Sequence, residues 1–153
     1  MSERKRILVT GASRGIGRAV ALECARAGYD LAVHYRSDEA SAESSADACR
    51  ALGAAVTLLK FDVADRTACR ESIERDIEDN GTYWGVVCNA GITRDNAFPA
   101  LTDDDWDSVL RTNLDGFYNV LHPCVMPMVR ARSGGRIVTM ASVSGIIGNR
   151  GQV

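Results

Sequence analysis

Residues 10–17 read Thr-Gly-Ala-Ser-Arg-Gly-Ile-Gly and place Gly11, Gly15 and Gly17 in a G-x-x-x-G-x-G run between a β-rich stretch and a helical one. Glycines there let the backbone turn sharply and approach a ligand, while the following helix offers unpaired N–H groups and its positive end. The chemistry this arrangement can do is the binding of a pyrophosphate. The spacing differs from the G-x-G-x-x-G dinucleotide fingerprint and from the G-x-x-x-x-G-K-S/T of a P-loop, which argues against phosphate hydrolysis. A glycine loop alone can be only a tight turn; the strand-loop-helix context favours the ligand.

Further polar residues recur at the ends of predicted strands. Asn89-Ala90-Gly91 follows one, Asp62-Val63 another, and Ser142 a third, while Asn113 stands at a predicted helix start. Taken singly, Asp62 reads as a strand-end cap and Ser142 as a turn residue. The acidic run Asp103, Asp104 and Asp105 suits the first turn of a helix opened by Thr102 better than it suits a metal. Neither His34, at a strand end, nor His122, on a helix, is given a catalytic role.

The elements that must position these residues alternate along the chain. Strands are expected at Arg6–Thr10, Leu31–Tyr35, Val56–Phe61, Gly85–Cys88 and Arg136–Ala141. Helical spacing joins Ile16, Val20, Cys24 and Ala27 until Gly28, then Ala42, Ala46 and Cys49 until Gly53, then Cys69, Ile73 and Ile77. From Asn113 to Arg132 the apolar band is wider than one sheet face requires, so this helix is expected to pack on two sides. Pro123 and Pro127 lie inside it and are expected to kink or interrupt it. The pattern is α/β with a parallel sheet.

The 153 residues, 46% hydrophobic and 25% charged, suit one domain with one core. A balance of 18 Lys and Arg against 20 Asp and Glu gives a net charge of −2, which disfavours general nucleic-acid binding. Apolar runs such as Ile7–Val9 are far short of a membrane span, and the basic start is not followed by a signal-peptide core, so a cytoplasmic protein is expected. The five cysteines, at 24, 49, 69, 88 and 124, show no C-x-x-C pair and are read as small hydrophobes.

The order of these motifs, from residue 6 to 153, resembles the short-chain dehydrogenase/reductase family, and the segments 91–96, 142–145 and 148–152 resemble its branch that reduces 3-oxoacyl thioesters on acyl carrier protein. The resemblance implies a Rossmann-type doubly wound parallel sheet of which this chain holds the first five strands, in one incomplete NADP-binding domain. It puts Gly11, Gly15 and Gly17 at the pyrophosphate, with Ser13, Arg14 and Ile16 of the same loop among the cofactor-binding residues, Asp62 and Val63 at the adenine, and Asn89, Ala90 and Gly91 along the adenosine ribose. It makes Asn113 the support of a catalytic lysine through water and Ser142 the donor to the substrate carbonyl. The family's Tyr-x-x-x-Lys pair would fall two residues past Val153, so the resemblance implies the front of a longer oligomeric enzyme, with the 153 residues alone inactive.

His34-Tyr35-Arg36 offers no carboxylate at the end of strand two, and Arg14 and Arg36 can both reach a ribose 2′-phosphate, so NADPH is the expected cofactor. Arg130, Arg132 and Arg136 are candidate contacts for an acidic carrier protein, or simply a solvated helix end. A family member acting on another small alcohol, and a non-catalytic dinucleotide-binding module, are the other readings open at this point.

Overall fold

A computed structural model of the chain describes residues 4–151; Met1 to Glu3 and Gln152 with Val153 lie outside the described residues. Five strands, β1 (Arg6–Val9), β2 (Asp30–Tyr35), β3 (Val56–Lys60), β4 (Tyr83–Cys88) and β5 (Arg136–Thr139), form one parallel sheet in the order β3-β2-β1-β4-β5. Helices α1 (Gly15–Arg26), α2 (Glu39–Ala51), α3 (Arg66–Asn80), α4 (Asp103–Leu110) and α5 (Gly116–Ala131) connect them. The parallel α/β sheet expected from the alternation is present, in the Rossmann-type arrangement that the resemblance implies.

Alternation along the strands builds two cores, one on each face. Leu8, Ala32, Leu59 and Val86 point to one side, where Ile73 of α3 and Val120, Leu121 and Cys124 of α5 cover them. Ile7, Val9, Leu31, Val33 and Val87 point to the other, under Ala21 and Ala25 of α1 and Cys49 of α2. Cys49, Cys69 and Cys124 are buried in these cores, as small hydrophobes are. On β5, Ile137 and Val138 stay about half exposed at the sheet edge.

Three helices start on side-chain caps: Asp38 accepts the Ser41 N–H, Asp65 those of Thr67 and Ala68, and Thr102 that of Asp105. The Thr102 reading therefore holds, with Asp103 to Asp105 in the first turn.

The chain between Thr102 and Arg132 departs from expectation. Asn113 does not begin a helix; it lies in a π-helical turn, Arg111–Asp115, that joins α4 to α5 without a gap. Neither proline interrupts α5. Pro123 is buried, and packing against the sheet outweighs the lost backbone donor. One side of α5 covers the core, while Tyr118, Met126 and Val129 on the other are at least half exposed. No helix among the described residues is long and apolar enough to cross a membrane.

Candidate dinucleotide-binding and active site

In the order β3-β2-β1-β4-β5, connections run outward in opposite directions from the neighbours β1 and β4, so the loops at their carboxyl ends part and leave a crevice. A cleft of about 510 Å³ opens there. All twelve residues assigned by sequence to a cofactor line it: Gly11, Ser13, Arg14, Gly15, Ile16, Gly17, Arg36, Asp62, Val63, Asn89, Ala90 and Gly91.

The glycine loop is built for close approach. Gly11 and Gly15 have φ of +63° and +59°, a region that side chains other than glycine rarely adopt. Gly17 is required for a different reason: a Cβ there would lie 2.2 Å from the Gly11 carbonyl oxygen and 2.5 Å from Asn89 Nδ2. Unlike α2, α3 and α4, helix α1 has no side-chain cap at its start. Its first N–H groups face the cleft without a side-chain acceptor, which is what an incoming pyrophosphate needs.

Three elements hold this loop. On the β4 side, Asn89 donates its amide to the carbonyls of Thr10 (2.9 Å) and Gly11 (3.1 Å), while Thr10 Oγ1 accepts the N–H groups of Asn89 and Ala90 at 2.9 and 3.0 Å. On the β2 side, His34 Nδ1 accepts the Gly11 N–H at 3.1 Å and its carbonyl the Ala12 N–H at 2.9 Å. From α2, Ser45 Oγ donates to the Ser13 carbonyl at 2.9 Å. Sequence reasoning found Asn89 but missed Thr10, His34 and Ser45, whose partners lie far away along the chain.

Asp62 and Val63 form the far wall. Asp62 Oδ1 accepts the Ala64 N–H at 2.9 Å, so the residue caps the strand end and lines the cleft at once. The Val63 carbonyl accepts Asn119 Nδ2 at 2.9 Å, and Asn119 Oδ1 takes Arg66 Nε at 3.0 Å. A Cβ on Gly116 would lie 2.9 Å from a Val63 methyl, so α5 packs tightly on this wall.

The lack of a carboxylate at the end of strand two does not leave Arg14 and Arg36 without an acid nearby. Arg36 reaches Asp62 at 4.0 Å, and Asp38 lines the same cleft, its carboxyl held below the usual range by its hydrogen bonds to Ser41 and then by Arg14. The end of β2 carries no acid, but the turn after β2 and the loop after β3 supply one each.

A smaller cavity of about 100 Å³ adjoins the cleft, lined by Thr10, Cys88, Ala90, Asn113, Phe117 and Thr139 among others. Asn113 accepts the Ile92 N–H and donates to the Ile92 carbonyl, both at 2.9 Å, and its Oδ1 would lie 3.2 Å from a Cβ on Gly91. Burial pushes the Cys88 thiol up to about 11, so it stays protonated. Ser142 lines neither cavity. Exposed beyond β5, it accepts the Ser144 N–H at 3.1 Å as the cap of a short 3₁₀ turn, which leaves its hydroxyl hydrogen to donate elsewhere.

Arg130, Arg132 and Arg136 lie where α5 ends and β5 begins, at the amino-terminal ends of the strands and opposite the cleft. Arg136 packs over the Trp84 ring at 5.7 Å. The structure does not bring these three to the site.

The family profile described as short chain dehydrogenase matches residues 5–153. A 3-oxoacyl-[acyl-carrier-protein] reductase FabG of Aggregatibacter actinomycetemcomitans is 62% identical over 147 residues, 96% of this chain and 61% of its own length. An acetoacetyl-CoA reductase of Shinella zoogloeoides is 40% identical over 146 residues, 95% of this chain and 58% of its own. Among solved structures, a Burkholderia xenovorans protein described as a short-chain dehydrogenase/reductase superposes with a TM-score of 0.90 at 28% identity, over 99% of this chain and 64% of that one. The chain thus spans about 61% of the length of the curated reductase most similar among these.

Proposed function

The chain belongs to the short-chain dehydrogenase family, and from that premise we propose that the full-length protein is an NADPH-dependent reductase of 3-oxoacyl thioesters carried on acyl carrier protein. The observation that carries the cofactor half of this reading is the cleft at the β1/β4 crevice, where an uncapped α1 follows a loop that turns at Gly11 and Gly15 with positive φ and packs too closely at Gly17 for any Cβ. Those residues fit a nicotinamide dinucleotide, which when bound supplies hydride. Arg14 and Arg36 favour a 2′-phosphate over a bare ribose hydroxyl, against the opposing charges of Asp38 and Asp62.

In this reading Ser142 donates its hydroxyl hydrogen to the substrate carbonyl oxygen, an interaction that strengthens as charge builds there. Asn113 holds the Gly91-Ile92 turn against the π-helical turn and so fixes the wall beside the reacting carbonyl. The proton that completes reduction is assigned to a Tyr-x-x-x-Lys pair of the full-length protein, whose lysine brings the tyrosine toward working pH.

The similarity to an acetoacetyl-CoA reductase favours a second reading in which the same acyl group is carried on coenzyme A. Steady-state reduction of acetoacetyl-carrier protein and acetoacetyl-CoA by the full-length protein, with NADPH oxidation as the readout, separates the two. A higher kcat/KM on the carrier-bound thioester is expected. Turnover of neither thioester overturns both readings.

A further inference from the structure

His34 has no part in the chemistry above, yet its side chain is placed where two walls of the cleft meet. It is 2% exposed and stacks at a tilt on Phe61, ring centroids 4.1 Å apart. Nδ1 receives the Gly11 N–H at 3.1 Å, and Nε2 lies 2.9 Å from the Phe61 carbonyl oxygen. Because a backbone N–H only donates and a carbonyl only accepts, these partners select the neutral imidazole protonated on Nε2. The backbone of the same residue takes the Ala12 N–H. One histidine therefore fixes two consecutive N–H groups of the glycine loop and the residue just before Asp62.

We propose that His34 is a positioning residue for the adenosine half of the dinucleotide: through its two ring nitrogens it sets the spacing between the Gly11 turn and the Asp62-Val63 wall, without touching the reacting atoms. The inference rests on the dinucleotide reading of the cleft. The two bonds divide the work. The Gly11 bond orients the loop that receives the pyrophosphate, while the Phe61 bond satisfies a carbonyl at the end of β3 and contributes to stability. Burial holds the ring's pKa down to about 4, so the pairing persists through the working range of pH. Asp62, the acid facing it, opposes that shift without cancelling it.

The experiment uses the full-length protein and ADP-ribose, whose binding is measured by calorimetry for wild type, His34→Asn and His34→Gln, with thermal melting alongside. The Asn carbonyl oxygen stands near the Nδ1 position and still accepts from Gly11 but falls short of Phe61; Gln reaches Phe61 and withdraws from Gly11. The expected result is that His34→Gln weakens ADP-ribose binding about tenfold, the loss of one oriented hydrogen bond, and raises the cofactor KM in parallel while kcat stays within about twofold of wild type. His34→Asn should bind within about threefold of wild type although it melts at a lower temperature. A folded His34→Gln that binds ADP-ribose like wild type overturns the proposal, as do two variants weakened equally, which would mark a merely structural role. Wild-type protein that is folded and binds no ADP-ribose overturns the dinucleotide reading with it.

Discussion

The Asn113 side chain closes a two-way hydrogen bond on the backbone of Ile92, accepting its N–H and donating to its carbonyl, each at 2.9 Å. The π-helical turn at Arg111–Asp115 makes this possible, because a turn widened by one residue carries Asn113 to the loop after β4. Asn113→Ala should lower kcat of the full-length protein at least about tenfold and stability by about 1–2 kcal/mol, the scale of two hydrogen bonds. Asn113→Asp keeps the acceptor but sets a carboxylate against the Ile92 carbonyl, so it should not rescue turnover. Steady-state kinetics and urea unfolding of the three proteins check this.

Gly17→Ala should be the most damaging single methyl in the glycine loop. The added Cβ meets a backbone oxygen at 2.2 Å, and the loop behind it is tied to Asn89 and His34, so it has little room to move. A cost of about 1–3 kcal/mol in stability is expected, with loss of dinucleotide binding. At Gly15 a Cβ meets nothing within 4 Å, and the cost there comes from φ alone. Calorimetric titration with ADP-ribose should therefore rank Gly15→Ala above Gly17→Ala in residual affinity.

The residues that the sequence made legible share a local signature. Gly11 to Gly17 lie between a strand and a helix, and Asn89 to Gly91 directly follow β4, so a linear pattern found them. The register of β2 on β3 brings His34 beside Leu59 and hence to Phe61, and nothing near residue 34 in the chain announces it. The π turn was equally hidden: Pro123 and Pro127 marked a break where α5 runs on, with Pro123 buried against the core, while the real irregularity fell on Arg111–Asp115, which contains neither glycine nor proline. Asp38 and Asp62 escaped the charge argument because neither stands at the end of β2: Asp38 lies in the turn that follows it and Asp62 in the loop after β3.

Replacing both Arg14 and Arg36 by Ala should remove most of the preference for NADPH over NADH. Each charge-assisted contact is worth about 1.5–3 kcal/mol where it is dry, and less on arginines as exposed as Arg36. Asp38→Asn should act in the opposite direction, strengthening NADPH binding by removing an acid from the same cleft. The ratio of dissociation constants for the two cofactors, measured at one ionic strength, checks both signs. An unchanged ratio in the double Ala variant would overturn the assignment of Arg14 and Arg36.

Ser142→Ala should depress kcat about a hundredfold, the scale of one lost oxyanion donor, with cofactor affinity unchanged because Ser142 lies outside the dinucleotide cleft. Ser144→Ala should be mild, since the cap takes the Ser144 backbone N–H, which alanine keeps. Turnover of both variants under saturating cofactor decides; a crippling Ser144→Ala beside a mild Ser142→Ala would reassign the substrate donor.

The buried ring of His34 also sets a pH dependence of stability whose sign is fixed. Burial lowers its pKa from the ordinary 6.5 to about 4 in the folded chain, outweighing the Phe61 carbonyl and the Asp62 charge that pull the other way. Between those values the unfolded chain takes up a proton that the folded chain refuses, so stability falls as pH falls from 6.5 toward about 4. The slope is about half of 1.4 kcal/mol per pH unit at pH 6.5 and approaches that value below pH 6, which amounts to ~1.5 kcal/mol between pH 6.5 and pH 5. That window lies above the range in which ordinary carboxylates titrate, so the difference between wild type and His34→Gln isolates the imidazole. Urea unfolding at several pH values should show the wild type losing stability over this interval relative to the variant, whose side chain has no proton to gain. Parallel curves for the two proteins would mean that the His34 ring accepts a proton in place, and the Gly11 hydrogen bond could not then be the one that fixes the loop.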